Sequence, residues 1–526
     1  MSRRKTIRLS LFLSLPVILF VLQHYFIHSP SLKPTGFTNE ENVLYMSYAH
    51  QYLDQDKFSI TYSNPFDGNI QSPNIYFQPI TIVLAGLMKL GMDPGFCFSL
   101  FGLIMTALCI YLGIKILQHL LPGHKQMSLI ATLFTWGGGL TALAGLMGSA
   151  FLSGHYTEQW IDGIYLADPA NGWWGLNWGR TLFIPLEAYY HFLFLLNIWL
   201  ILKQKWKAAA IVALFLSISH PFTGIEYLVI INGWIVLEKL VFRNKTIPYW
   251  FAIAMIVVTA LHVWYYLIYL NSFPEHKLLF TQYSVGWTYS LLIAIPAYSI
   301  VAVLTFVNMY LNSPVKKFLA IPHQRLFLCW GIIAFLLSKH EWFIEPMQPI
   351  HFTRGYVWAG LFLFALPALL WLINYLQQKK KNWVLYIFIF LFLSDNILWT
   401  ANLLRGKNDT EWEGHISKDT RDVLDYLNKN ATSSDLLIGN ATLVNYLANV
   451  YTHTNAWVSH PYNTPNREMR MMQEKLVLEE RVVQSFWKDR KLFLVIDKRK
   501  EWTTPVSLPL LANKVFENNS YTIFIP

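Results

Sequence analysis

The chain has 526 residues, of which 54% are hydrophobic, 16% aromatic and only 14% charged. Water-soluble domains carry about a quarter charged residues, so much of this chain takes lipid as its solvent. Its net charge of +10 comes from basic residues scattered at the ends of apolar segments, which fits the cytoplasmic loops of a membrane protein and not a nucleic-acid module. Cys97, Cys109 and Cys329 all fall inside apolar segments, so neither a disulfide framework nor a metal cluster is expected.

Arg3, Arg4, Lys5 and Arg8 precede an apolar run to about His28. No small-x-small cleavage site follows, only His28-Ser29-Pro30-Ser31, so the segment reads as an uncleaved anchor with its basic end in the cytoplasm. Next comes Thr38 to Leu53, TNEENVLYMSYAHQYL, with the adjacent carboxylates Glu40 and Glu41 at a helix start. Val43, Leu44, Met46, Tyr48 and Leu53 recur at near-helical spacing. Such a helix would lie along the membrane surface with its acidic N-terminus facing a cavity. Thr38-x-x-Glu41 also has the spacing of a capping box, in which Glu41 merely satisfies orphan amides.

Apolar segments long enough to be membrane helices occur at 8–28, 96–119, 128–151, 183–203, 207–220, 222–241, 247–270, 288–311, 326–339, 356–377 and 383–403. The basic connections are the N-terminus, Lys125, Lys203/Lys205/Lys207, Arg243/Lys245, Lys316/Lys317/Arg325 and Lys379/Lys380/Lys381. They fall on one side only if the shorter segment 76–90 does not cross, so it is expected to be a juxtamembrane or re-entrant helix. A split of 128–151 at Gly137-Gly138-Gly139 would also repair the parity. Loops 29–95, 152–182, 271–287 and 340–355 and the tail from 404 then emerge on the non-cytoplasmic side. Loop 152–182 carries His155, Asp162, Asp168, Gly172-Trp173-Trp174-Gly175 and Arg180. Its tryptophans suit an interfacial belt or stacking on a sugar face.

The tail alternates helices (417–428, 441–448, 466–488) and strands (436–439, 456–459, 491–497), which suggests a small α/β domain. The fold expected is therefore mainly α, a polytopic bundle of about eleven spans plus juxtamembrane helices (1–403, with the first outer loop 29–95), and an extracytoplasmic α/β domain (404–526). The chain is expected to be a multi-pass plasma (inner) membrane protein with a cytoplasmic N-terminus. Asn430-Ala-Thr, Asn440-Ala-Thr and Asn518-Asn-Ser match glycosylation acceptors, in an Asn-rich tail where such matches arise by chance.

Glu41-Asn42-Val43-Leu44-Tyr45 after the first span, then Tyr76-Phe77-Gln78-Pro79, resembles the integral-membrane GT-C glycosyltransferases, which use lipid-phosphate-linked sugars. In that family an acidic residue opens a surface helix just after the first span, and a Pro-containing juxtamembrane helix follows. Glu41 stands where the family's catalytic acid stands, while Asn42 replaces the usual second acid. His220-Pro221-Phe222, Arg354-Gly355 and His460-Pro461-Tyr462-Asn463-Thr464-Pro465 resemble a poorly characterised bacterial branch. Some members have two basic residues suited to a lipid phosphate, one before the proline and one before the tyrosine, where this chain has Gln78 and Leu44.

Glycosyl transfer from a lipid phosphate needs a carboxylate to take the acceptor's proton and cationic donors for the departing phosphate. Glu41 is the candidate base, with Glu40 second, and a helix N-terminus favours the ionised carboxylate. Arg354 is the first candidate for the phosphate, through its fork of donors, and Arg180 the next. The alternative for Arg354 is snorkelling to lipid headgroups. His220 could supplement it, although a packing histidine would look the same; His351, Gln78 and Tyr45 complete the candidate donor-binding set. His340, Glu341, Glu345 and His351 lack the one-turn spacing of a metal motif, so no divalent metal and no cofactor beyond the lipid-phosphate sugar is expected. Expected partners are the bilayer, a polyprenyl-phosphate sugar and a glycan, lipid or protein acceptor, with no nucleic acid. The competing class is a non-catalytic membrane protein, a flippase, polymer-export or assembly component with an outer binding domain.

Overall fold

Backbone amides and carbonyls have no water to bond in lipid, so an apolar run satisfies them internally as helix. Each of the eleven expected segments is helical. The structure, a computed structural model, describes residues 1–53, 59–69, 71–152, 173–282, 286–312, 316–405, 410–480, 487, 490–500 and 513–525. Among these, six helices are long and apolar enough to cross a membrane: Pro94–Leu120, Pro185–Leu202, Tyr249–Ser272, Leu291–Leu311, Pro349–Gln378 and Asn382–Leu404. Two bent pairs, Arg3–Leu13 with Leu15–Phe26 (47°) and Met127–Trp136 with Thr141–Gly148 (54°), raise the number to 8. The chain is a multi-pass membrane protein. Helices Trp206–Ser219, Pro221–Val236 and Pro322–Leu337 are shorter, so length alone does not reach eleven spans. Pro79–Lys89 has 11 residues, about 16 Å at 1.5 Å per residue, which is half the thickness of a bilayer core.

Segment 128–151 was expected as one span and is two helices broken at the three glycines. Gly138 N–H donates to the Phe392 carbonyl at 2.9 Å, and Leu140 N–H to the Pro296 carbonyl at 2.7 Å. A Cβ on Gly139 would meet the Ala297 and Pro296 oxygens at 2.1 and 2.2 Å. Only glycine lets these backbones come so close.

The chain divides into two units. One comprises Met1–Phe20, Gly102–Trp264 and Ser284–Gly406; the other comprises Val21–Phe101, Tyr265–Tyr283 and Lys407–Pro526. In this division the first outer loop falls in the same unit as the tail. The reason is pairing. Strand β1 (Leu32–Pro34) runs antiparallel to β2 (His415–Ser417), and buried Asp67 holds Arg470 at 2.5 Å. Asn64 donates its side-chain amide to the Asn463 carbonyl at 2.9 Å.

The tail builds a five-stranded sheet from β3 (Leu436–Ile438), β4 (Asn455–Ala456), β5 (Leu492–Asp497), β6 (Asn513–Glu517) and β7 (Tyr521–Ile525), in the order β4-β3-β5-β7-β6. β3 is parallel to both β4 and β5, and β7 is antiparallel to β5 and β6. Leu436, Ile438, Leu492, Leu494 and Ile496 pack with Trp457 and Trp487 to form its core. Helix Lys418–Asn430 starts at Ser417, whose hydroxyl accepts from Thr420 N–H at 3.2 Å. The expected alternation is present, with helices Thr442–Tyr451 and Arg467–Glu480 in place, but the closing pair β6 and β7 was not expected.

Candidate active site

In the unit that contains the tail, helix Glu41–His50 buries Val43, Met46 and Ala49 and leaves Glu40 and Glu41 exposed. Its first turn is held by asparagines. The Asn39 side-chain oxygen accepts from Glu41 N–H at 2.8 Å. With its amide oxygen turned toward the turn, Asn42 accepts from Thr38 N–H at 3.1 Å and Asn39 N–H at 3.3 Å. The reach back that a capping box assigns to Glu41 is thus made by Asn42, one residue later. The Tyr446 hydroxyl donates to the Glu40 carbonyl at 2.8 Å. Burial raises the Glu413 carboxyl above its ordinary value, and the Glu40 charge adds to this. Tyr45 lies parallel to Phe98 at 6.4 Å and edge-on to Tyr48 at 5.9 Å. Gln78 precedes Pro79 in extended conformation as the N-cap of the next helix, without a side-chain capping bond.

The bundle unit brings Arg354, His351 and His220 to one end. Arg354 is 4% exposed and adopts φ +27°, a left-handed conformation that is uncommon outside glycine. Its surroundings hold it there. Gly355 (φ +73°) donates its N–H to the Gly175 carbonyl at 2.5 Å, and a Cβ on Gly355 would meet Trp178 Cα at 2.5 Å. The His191 ring nitrogens reach the Glu187 carbonyl at 2.5 Å and the Arg354 carbonyl at 2.7 Å. The guanidinium itself is shared. Nη1 pairs with the Glu187 carboxylate, Nη2 meets His351 Nδ1, and Nε donates to the His351 carbonyl at 3.0 Å. The His351 ring sits between Phe222 (4.9 Å) and Trp287 (5.6 Å). His220 caps helix Pro221–Val236, its Nδ1 accepting from Thr223 N–H at 3.1 Å, with Tyr190 against its ring at 4.6 Å.

No family model matches the chain, and no curated protein matches it. Among solved structures it is similar to the archaeal oligosaccharyltransferase AglB from Archaeoglobus fulgidus in complex with an inhibitory peptide and a dolichol-phosphate. The TM-score is 0.46 at 12% identity, over 94% of this chain and 70% of that one. A second similar structure is the Archaeoglobus fulgidus oligosaccharyltransferase in complex with Zn and sulfate, with a TM-score of 0.45, 12% identity, and 94% and 68% of the two chains covered. Likenesses this weak assign no residue a role.

Arg180 has a carboxylate partner of its own in the bundle. It is 1% exposed and pairs at 2.6 Å with Asp395, which also accepts from the Asn177 side chain at 2.5 Å and from Ala142 N–H at 2.6 Å. That network ties three segments of the bundle together. His340 uses both ring nitrogens locally: Nδ1 donates to the Leu337 carbonyl at 2.7 Å, and Nε2 accepts from Met347 N–H at 2.8 Å. No group of three His, Cys, Asp or Glu able to hold a metal occurs among the described residues. His155, Asp162, Asp168 and Gly172 lie outside those residues, as do the side chains of Trp173 and Trp174. Sequence reasoning missed Glu187, His191, Asp395 and Glu226, the last fully buried with neither carboxylate oxygen hydrogen-bonded. Their signal was an ionisable residue inside an apolar helix.

Proposed function

We propose that the protein is a membrane glycosyltransferase of the GT-C type. It moves a sugar from a polyprenyl-phosphate-linked donor to an acceptor hydroxyl on the extracytoplasmic face of the inner membrane. The acceptor oxygen bonds to the anomeric carbon, the bond from that carbon to the phosphate oxygen breaks, and the lipid phosphate departs. Glu41 takes the acceptor's proton. One observation carries this reading: Glu41 is exposed on the first turn of a helix whose capping is done by Asn39 and Asn42. A carboxylate there is favoured by the helix dipole. Arg354, steadied by His351, binds the donor phosphate through its fork, which requires Glu187 to share or yield the guanidinium.

A second reading, a non-catalytic membrane component with an outer binding domain, is favoured by the buried pairing of Arg354 with Glu187. A buried arginine with its own carboxylate can be purely structural. The two readings separate in proteoliposomes loaded with radiolabelled polyprenyl-phosphate sugars and cell-envelope acceptors. Transfer of label supports the enzyme; retention of donor without transfer supports the binding component.

A further inference from the structure

Helix Pro185–Leu202 carries Glu187 near its start, and Lys203 is its C-cap. At 1.5 Å per residue these ends lie about 24 Å apart, close to the span of a hydrocarbon core. At the Lys203 end, Lys115, Gln118, His119, His124, Trp199 and Lys203 line a cavity of about 490 Å³. The Lys115 and Lys203 ammonium groups both face the Trp199 ring, at 5.7 and 4.8 Å from its centre. Lys203 also donates to His119 Nδ1 at 3.2 Å, while Gln118 donates to the Thr6 hydroxyl at 2.9 Å.

Four cationic or potentially cationic side chains thus converge on one pocket, and no carboxylate lines it. Neither lysine forms an ion pair within the described residues. Isolated positive charges at a span end need no pocket, because they snorkel to water. Here both ammonium groups approach a single indole, Lys115 from a half-buried position and Lys203 from an exposed one, and His119 lies beside Lys203. Positive charges lining one cavity without an anion repel, and a bound anion lowers that cost.

We infer that this cavity is an anion site for a phosphate group, at the opposite end of the bundle from Arg354. Its ligand chemistry is a phosphate ester or free phosphate held by Lys115 and Lys203, with apolar chains free to run along the helices. Basic pockets between membrane helices on the cytoplasmic side commonly take acidic headgroups in this way.

The test uses the full chain purified in a non-ionic detergent. Native mass spectrometry and thermal unfolding are read with added phosphatidylglycerol, phosphatidylcholine or inorganic phosphate. Phosphatidylglycerol should bind and raise the unfolding temperature, and phosphatidylcholine should not. K115Q/K203Q should weaken phosphatidylglycerol binding about twenty-five-fold, from about fivefold per lysine, while the unliganded protein unfolds as before. His119→Gln, which keeps a hydrogen-bonding group, should weaken it less. If inorganic phosphate reproduces the shift and competes with the lipid, the site takes the free anion as well; if only the lipid acts, its source is the membrane. Equal binding of phosphatidylglycerol by the wild type and K115Q/K203Q, or no preference for it over phosphatidylcholine, overturns the assignment.

Discussion

Glu41→Gln separates a base from a helix cap because the two roles differ in size. The first turn has closures besides the Glu41 carboxylate: the Glu41 amide is held by Asn39, and Asn42 reaches back to the Thr38 and Asn39 amides. The Glu41 charge at a helix N-terminus is worth about 0.3–1 kcal/mol. As general base its removal slows transfer by about 10²–10⁴-fold, or about 2.7–5.4 kcal/mol at 1.36 kcal/mol per decade. Glu41→Gln should therefore unfold within about 1 kcal/mol of the wild type and lose most of its rate. Asn42→Ala should do the reverse, costing about 1 kcal/mol of stability with little loss of rate. Glu40→Gln should be mild in both, since the Glu40 group that meets Tyr446 is its backbone carbonyl. The assay is single-turnover transfer of a labelled sugar in proteoliposomes, paired with thermal unfolding of the same preparations. A folded Glu41→Gln protein with a near-normal rate refutes the assignment, and an equally active Glu40→Gln removes the acidic pair from the mechanism.

Arg354→Lys keeps the charge but loses the planar fork, so part of the transfer should survive in it and very little in Arg354→Ala. The alanine variant also strands the buried Glu187 carboxylate, a cost of about 3–5 kcal/mol. R354A/E187Q should regain stability and stay inactive; recovery of both would make the pair structural. Cysteines placed at Lys125, Lys205 and Lys380 should be shielded from an impermeant thiol reagent in intact cells, and one at Asn466 should react. Labelling at Lys125 with protection at Lys205 would reject the proposed orientation. In the tail, burial and then the Arg467 charge depress His460 to about 3, against about 6.5 when unfolded. Its contribution is complete above pH 6.5 and is lost as pH falls toward 3, at up to about 1.4 kcal/mol per pH unit. Glu474, raised by burial, acts with the opposite sign, so the comparison is with His460→Asn, which can still accept from Tyr462 and Asn463 N–H. Denaturant midpoints of the two proteins should converge on acidification, and parallel pH profiles would reject the linkage.

Hydropathy placed the eleven long apolar segments because lipid leaves an apolar run no alternative. The glycine run at 137–139, the less favoured way to repair the loop parity, is where the segment expected as one span breaks, and the short segment after Gln78 is the expected helix. What could not be read were pairings between residues distant in sequence. Arg354 with Glu187 and Arg180 with Asp395 each join two apolar segments, and nothing local tells which acid meets which arginine. The capping box was read one residue early, because glutamate at that spacing is the commoner partner and Asn42 was taken only as a departure from a family pattern. In the tail, Asn518-Asn-Ser was read as a chance glycosylation match. It forms the turn of the closing hairpin, where the Asn518 side-chain oxygen accepts from Ser520 and Tyr521 N–H at 3.1 and 2.8 Å. The alternation in Tyr521–Ile525 was a strand signal that went unread.

The glycine break also bears on how the chain is made. Between Trp136 and Thr141 the helix stops, and the amides of Gly138 and Leu140 find acceptors only on Phe392 and Pro296. Both acceptors belong to helices synthesised much later. In an apolar medium an unbonded amide costs several kcal/mol, so a nascent chain ending before Pro296 must keep this segment hydrated, continue the helix through the glycines, or hold it at the insertion machinery. Its two halves can lock into their final bend only after the last bundle helix has emerged. The first third of the bundle is therefore finished by its final third.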